Sequence, residues 1–449
     1  MPDQKPTLKK SLGVFDGIAI LVGITIGAGI YSTPQIIAGY QSSFLTIGLY
    51  WLLAGVFVFI GGLIYAELGS RFPSTGGEYV YLQKAFGPIT SFIFGWAQLF
   101  IVRTSPAAGL SIIAVNYIAF FVEISQTGRT LLAIVIIIAL GYLNYTGVSR
   151  AGFYQRTSTI IKVAGLFLLT FIGLLLGSGQ ENLLFSTAPP TAELGPIGNA
   201  AALMMLIVFS FLGWDRVGYV AGEMRNPKRV LPITMFAGIG AVVIIYLLTN
   251  IMYHQVLGIE GVRASTIVAS DAAAHLMGPA GASFVAIIVI ISTTGSINGT
   301  MMTATRVYYA MARDKLFFKW FDYIHPQFGT PSRAVIAHCG WAVVILLVRS
   351  NFESIVSGMT FAILCFYAFS TLAFFKFRMH NSGDPDGYRV PFYPLLPGIY
   401  LAGILSLILI RIYYEWQASL TDLAFVATGV PFAFIFCRKL RTNHEEGNS

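Results

Sequence analysis

The chain has 449 residues, 56% hydrophobic and only 11% charged, whereas soluble domains carry about 25% charged residues. So few charges cannot cover a water-facing surface, which excludes an ordinary soluble enzyme or binding domain. A net charge of +8 and a pI near 9.3 would suggest nucleic acid in a soluble protein. Here the basic residues fall in short loops between apolar runs, so they report topology, and no nucleic-acid partner is expected.

A hydrocarbon core about 30 Å thick is crossed by roughly 20 apolar residues in helix. The sequence predicts twelve such spans: 13–39, 44–69, 88–121, 130–147, 152–177, 197–221, 232–257, 281–311, 333–349, 352–377, 395–414 and 421–437. The first run is long and follows Asp16 without a small-residue cleavage site, so it reads as a retained helix. All twelve are too long and too uniformly apolar for barrel strands, which makes this an all-α membrane protein. With the N-terminus inside, twenty Lys and Arg residues fall on inner loops. Four (Arg129, Arg263, Arg349, Arg411) fall on outer loops and four (Arg103, Lys162, Arg216, Arg306) lie within or at the ends of spans. That bias puts both termini in the cytoplasm. Residues 178–196 carry acids but no Lys or Arg and belong outside. Residues 258–280 read as an outer loop with short helices, and the Pro-Gly-rich 383–398 as an inner loop with turns. Cys339, Cys365 and Cys437 are far apart and give neither a metal spacing nor an obvious disulfide.

Two spans are interrupted. The first contains Gly23, Gly27-Ala28-Gly29 and Pro34; the sixth contains Gly213, followed by Gly218 and Gly222. Each interior glycine costs roughly 1 kcal/mol relative to alanine, so the clusters need a reason. Close helix packing is one. An unwound segment that offers backbone groups to a ligand is the other. The pairing favours the second, because the breaks lie about 185 residues apart, each in the first helix of a possible five-helix unit, and matched interruptions in two halves point to a transporter site. A broken helix offers free N–H groups with partial positive charge to a carboxylate and free carbonyls to an ammonium. It can thus hold both ends of an α-amino acid without a charged side chain, and residues 17–40 contain none.

Five segments carry a family resemblance. GIAILVGITIGAGIYSTP (17–34) and YAELGSRFPSTGGEYVYLQKAFG (65–87) resemble the first helix and the second helix with its following loop in the amino acid–polyamine–organocation superfamily. VRTSPA (102–107), FSFLGWDRVGYVAGEMRNPKR (209–229) and GSINGTMMTATRVYYAMARD (295–314) resemble its L-type amino acid transporter branch. The resemblance implies a leucine-transporter-like fold of two inverted five-helix repeats, with helices one and six unwound at the midplane. On that plan 1–12 is a cytoplasmic N-terminus, 13–177 the first repeat and 197–377 the second. Residues 395–437 form helices eleven and twelve, and 438–449 a cytoplasmic tail.

By position, the resemblance implies that Gly27 lies in the break and that the N–H groups of Ala28, Gly29 and Ile30 take a substrate carboxylate. The carbonyls of Thr25, Phe209 and Ser210 would take its ammonium. Phe209 would also act as an outer gate, with Phe211 and Gly213 lining the side-chain pocket. Two departures stand out: Ala28 replaces a frequent serine, and Asp215 a frequent asparagine. Asp215 could read a polar side chain, bind a proton, or serve as a structural partner of Arg216 or Arg306. Lys162 lies inside span five. The family's lysine at this place replaces a coupling sodium ion and tethers the broken first helix to helix eight, near Ser296 and Asn298; snorkelling to the cytoplasmic interface is the alternative. Arg103 is assigned to helix packing or gating.

The expected function is sodium-independent exchange or proton-coupled symport of small or neutral L-amino acids in the cytoplasmic (inner) membrane. A cationic amino acid or polyamine carrier is the alternative within this class. A channel is disfavoured because charge rings and filter loops are missing, and an enzyme because no catalytic groups converge. No phosphate loop and no HExxH, CxxC or G-x-S-x-G motif occurs, so no cofactor is implied. Animal members of the branch pair with a heavy chain through a cysteine. No cysteine lies in an outer loop here, so no such subunit is expected; the expected partners are an amino acid, the lipid bilayer and a candidate coupling proton.

Overall fold

A computed structural model describes residues 13–27, 29–74, 76–177, 189–191, 194–349, 352–383 and 386–436. The expectations for Ala28, Cys437 and the two terminal segments lie outside the described residues.

Every element among the described residues is helical. The first span is three pieces, α1 (Val14–Thr25), α2 (Gly29–Ser32) and α3 (Pro34–Tyr40), followed by α4 (Phe44–Arg71) and the short loop helix α5 (Glu78–Phe86). The third span divides into α6 (Pro88–Ala97), a π turn (Gln98–Val102) and α7 (Thr104–Ile118). Next come α8 (Gln126–Tyr145), α9 (Val148–Leu176) and α10 (Gly195–Phe211), with a 3-10 segment over Trp214–Glu223. The remaining helices are α11 (Pro227–Ala264), α12 (Val268–Arg313), α13 (Ser332–Val348), α14 (Phe352–Met379), α15 (Leu395–Tyr414) and α16 (Trp416–Ala427). Positive φ at Gly258 and Gly278 splits a short helix from α11 and from α12, which accounts for the short helices expected within 258–280.

Among the described residues, eleven helices are long and apolar enough to cross a bilayer. The expected span at 333–349 is the shorter apolar helix Ser332–Val348. Its 17 residues rise roughly 25 Å at 1.5 Å each, which puts it at the lower limit for a span.

Burial is inverted relative to a soluble protein. On α9, Phe153, Ile160, Phe167, Phe171 and Leu175 recur at helical spacing and are exposed, while Ser158, Lys162 and Thr170 are buried. Continuous exposed apolar faces of this kind belong in hydrocarbon. Inside, α11 packs against α4 and α1, and α12 against α9 and α7. At one end of the bundle the buried Glu67 carboxylate accepts from Arg71 Nε (2.9 Å), Arg378 Nε (2.6 Å) and the Val390 N–H (2.6 Å). That cluster ties α4 to α14 and the loop beyond it.

Candidate functional site

The helix breaks are built by backbone geometry. At Ile26 the chain leaves α1 with φ −71° and ψ 89°. From Gly29 onward, bonds from Thr33 N to Gly29 O (2.9 Å) and from Ile37 N to Thr33 O (2.8 Å) carry helical geometry through to Tyr40. The N–H groups of Gly29 and Ile30 therefore open a new helix, where the first turn has no intrahelical acceptors. The second break follows Phe211. Gly213 has φ +121°, a conformation costly for any L side chain, and a Cβ there would lie 3.2 Å from both Ile24 C and Thr25 N. A Cβ on Gly29 would lie 2.6 Å from Ser210 Cα. The two breaks thus press against each other through glycines. Gly23 is different, since its added Cβ would meet Thr159 Oγ1 on α9 at 2.6 Å, so there the reason is packing. Close packing thus accounts for Gly23, while Gly29 and Gly213 stand where the helical geometry is interrupted.

Tyr246 on α11 joins the breaks. Its hydroxyl lies 2.8 Å from Thr25 O and 3.0 Å from Ser210 O. Those are two of the three carbonyls expected to take an ammonium. The third, Phe209 O, accepts from Leu212 N at 2.9 Å. Ser210 Oγ and Thr33 Oγ1 share a further bond of 2.8 Å. Nothing in the sequence around Tyr246 marks it out among the 22 tyrosines.

A cavity of about 40 Å³ lies between the breaks. One water needs roughly 10–15 Å³ on this measure, so the space holds about three waters and must widen for anything larger. From the predicted set it is lined by Thr25, Gly27, Gly29, Phe209, Ser210, Gly213, Asp215 and Ser296. Arg103, Arg216 and Thr300 also line it. The ring of Phe209 sits 5.7 Å from that of Phe352, edge to face. Phe211 is not among the lining residues; it packs against Trp51 and Tyr246 at centroid distances of 5.9 and 5.1 Å. Ile30 is fully buried in the core and likewise does not line the cavity.

Asp215 pairs with neither Arg216 nor Arg306, the partners weighed from the sequence. Its Oδ2 accepts from Arg103 Nη2 at 3.0 Å. Arg103 follows the π turn, where its N–H bonds back five residues to Gln98 O (2.9 Å), a distortion common at functional sites. The turn aims the guanidinium at α10's continuation: Nε donates to Gln98 Oε1 (2.6 Å) and Nη2 also to Tyr219 OH (3.0 Å). Tyr219 in turn donates to Glu78 Oε2 (2.9 Å), and Tyr65 and Ser370 donate to Glu78 Oε1. Burial pushes the Glu78 carboxyl up to about 7, and the nearby Asp215 adds to the rise. A buried polar chain thus runs from the cavity to the loop helix α5. Arg216 donates to Thr300 Oγ1 (2.7 Å), and its buried Nε has no hydrogen-bond partner among the described residues.

Lys162 is fully buried, and its Nζ donates to Ser296 Oγ at 3.2 Å. That Oγ lies 2.9 Å from the place a Cβ on Gly27 would take, so Ser296 sits between the lysine and the first break. Asn298 faces elsewhere. It donates to Ala151 O (3.0 Å) and Gln155 Oε1 (3.1 Å) and accepts from Asn144 Nδ2 (2.8 Å), tying α12 to α8 and α9.

Residues 12–434 match the family model described as amino acid permease. The serine/threonine exchanger SteT of Bacillus subtilis is 28% identical over 399 residues, covering 88% of this chain and 90% of that protein. The b(0,+)-type amino acid transporter 1 of Mus musculus is 30% identical over 96% of this chain and 88% of its own length. The cystine/glutamate transporter of Homo sapiens is 27% identical over 96% of this chain and 86% of its own. With a match along nearly its whole length, this multi-pass membrane protein belongs to the amino acid permease family and is an amino acid transporter, not an enzyme.

Proposed function

We infer that the protein carries small or neutral L-amino acids across the cytoplasmic membrane by alternating access, as a sodium-independent exchanger or a proton symporter. The observation that carries this reading is the meeting of two glycine-lined helix breaks around one cavity. The N–H groups at the start of α2 receive the substrate carboxylate. The carbonyls of Thr25 and Ser210 receive its ammonium; they share a single hydroxyl proton from Tyr246, so both retain acceptor capacity. Phe209, against Phe352, closes the outer side.

Twelve spans in two inverted repeats with both termini inside suit this mechanism. Helices at matching places in the two halves pack on one another, α4 on α11 and α7 on α12, which is compatible with a pseudo-two-fold arrangement. Lys162 supplies a fixed cation behind the first break, bridged by Ser296, in place of a sodium ion. Asp215 is already held by Arg103, with Arg216 beside it. The cavity therefore has no spare carboxylate for a cationic side chain, which weighs against a polyamine or cationic substrate. Exchange of serine and threonine, the activity named for the Bacillus subtilis relative, agrees with a small amino acid, whereas the human relative is named for cystine and glutamate. The chain works without a heavy subunit on this reading.

The test is uptake of labelled alanine, serine, leucine and arginine into proteoliposomes, with and without internal substrate, at two pH values. Saturable uptake of the small neutral substrates supports the reading; ion-like flux, or competition by putrescine and arginine alone, overturns it. Lys162→Ala is expected to slow uptake by about tenfold, equivalent to roughly 1.4 kcal/mol, without unfolding the protein. Full transport by that variant removes the lysine from the mechanism.

A further inference from the structure

A larger cavity, about 390 Å³, lies away from the helix breaks. It sits where the C-terminal end of α3, the first turns of α10 and α14, and the junction of α15 with α16 come together, at the outer end in the orientation proposed above. Its lining includes Tyr40, Arg349, Glu353, Arg411, Glu415 and Asp422.

The charges are arranged unevenly. Asp422 is buried and both its oxygens are engaged, one by Arg349 Nη2 (2.6 Å) and one by Arg411 Nη2 (2.9 Å). Arg411 is 5% exposed, and its guanidinium lies 4.4 Å from the centre of the Phe361 ring. Its Nε donates to Glu415 at 3.3 Å, while its buried Nη1 has no hydrogen-bond partner among the described residues. An unanswered donor on a buried charged group is costly, and this one belongs to a side chain lining a cavity large enough for a small organic molecule. Glu353, by contrast, is exposed and accepts from the Tyr40 hydroxyl at 2.9 Å.

Among the described lining residues, three carboxylates and two guanidiniums leave one excess negative charge. A simple anion would answer Arg411 but double the excess. A simple cation would cancel the excess but leave Arg411 Nη1 unanswered. A zwitterion answers Arg411 with its carboxylate and sets its ammonium against an acidic side chain, without enlarging the excess. We propose that this cavity is a second amino acid site, distinct from the one at the helix breaks, which holds a ligand's carboxylate at Arg411 and its ammonium at Glu353. Met205 and Leu206, from the helix that carries Phe209 and Ser210 one turn further on, give the side chain an apolar wall. A ligand with a cationic side chain also neutralises the excess charge, so this site prefers arginine to leucine, opposite to the preference proposed for the breaks. The inference shares with the proposed function the premise that L-amino acids are the ligands, and does not depend on where the transported one sits.

The test is equilibrium binding of labelled L-leucine and L-arginine to the full chain in lipid nanodiscs. The wild-type protein is expected to bind two equivalents of label in all, with arginine favoured at one site. Ala202→Trp fills the outer cavity without removing a charge and is expected to abolish one class. Glu353→Gln is expected to weaken the same class about tenfold. Gly29→Val, which closes the breaks, is expected to abolish the other. A single class lost in Gly29→Val and kept in Ala202→Trp and Glu353→Gln overturns the second site. A single class lost in Ala202→Trp and kept in Gly29→Val upholds it and sinks the placement of substrate at the breaks. Displacement of the Glu353-dependent class by inorganic phosphate or by phosphatidylglycerol, but not by unlabelled arginine, assigns the cavity to an anion and overturns the proposal.

Discussion

The two helix breaks are made differently. The first is short and carries no charge: α1 stops at Thr25, helical geometry resumes at Gly29, and the described residues between Gly17 and Tyr40 include no Asp, Glu, Lys, Arg or His. The second passes through Gly213 into the 3-10 segment Trp214–Glu223, which brings Asp215 and Arg216 to the cavity. One break offers bare peptide groups; the other adds side-chain charge, balanced by Arg103 from a third element. The difference separates two tasks. On the proposed function, peptide groups at a break would recognise what all α-amino acids share, and the charged segment would face whatever distinguishes one from another. Tyr246 spans the two and keeps their carbonyls in register.

Four changes would break or sharpen this contrast. Gly29→Val has the largest expected effect. Its Cβ would lie 2.6 Å from Ser210 Cα, a backbone atom that cannot swing aside, and overpacking of this kind costs roughly 1–3 kcal/mol. Uptake should fall below a tenth of wild type for every substrate, since the shared part of the ligand is affected. Gly213→Ala comes next. It strains a backbone at φ +121°, for which about 1–3 kcal/mol is typical, and should lower the unfolding temperature and reorder substrate preference; an unchanged preference would show that the two breaks do the same task. Tyr246→Phe removes one shared hydrogen bond worth about 1 kcal/mol. A few-fold rise in KM for all substrates is expected, and an effect confined to one substrate would contradict a role in register.

The fourth change tests a pH dependence. The Glu78 carboxyl stands at about 7 in the folded protein against an ordinary 4.5. Between those values the folded state holds a proton that the unfolded chain has lost, so this group's contribution is full below 4.5 and is lost as pH rises through 7. Glu78→Gln cannot titrate, and its unfolding temperature should vary less over that window than the wild type's. An identical slope would mean that the carboxyl does not titrate there.

Much of the broken-helix geometry was legible because its causes are local. Glycine clusters within long apolar runs have few explanations, and Gly29 and Gly213 carry theirs in close approach and in φ. The burial of Lys162 was legible because a bare ammonium in an apolar run is costly in hydrocarbon and turns to the protein interior. The π turn before Arg103, the Arg103–Asp215 pair and the hydroxyl of Tyr246 were not. Asp215 and Arg103 stand 112 residues apart, and neither sequence neighbourhood names the other. Asn298 shows the converse error: its place in a motif suggested the lysine's surroundings, yet its rotation about α12 turns it to Asn144 and Gln155.

The apolar runs, their lengths and their interruptions were enough to determine a helical membrane protein with two broken spans, because in hydrocarbon each segment must satisfy its own backbone hydrogen bonds. Which side chains meet at the breaks, which carbonyls share a hydroxyl, and where a second cavity opens between α10, α14 and α15 were decided by packing. Those contacts depend on the rotation and crossing of helices distant in sequence, and local periodicity carries no record of them.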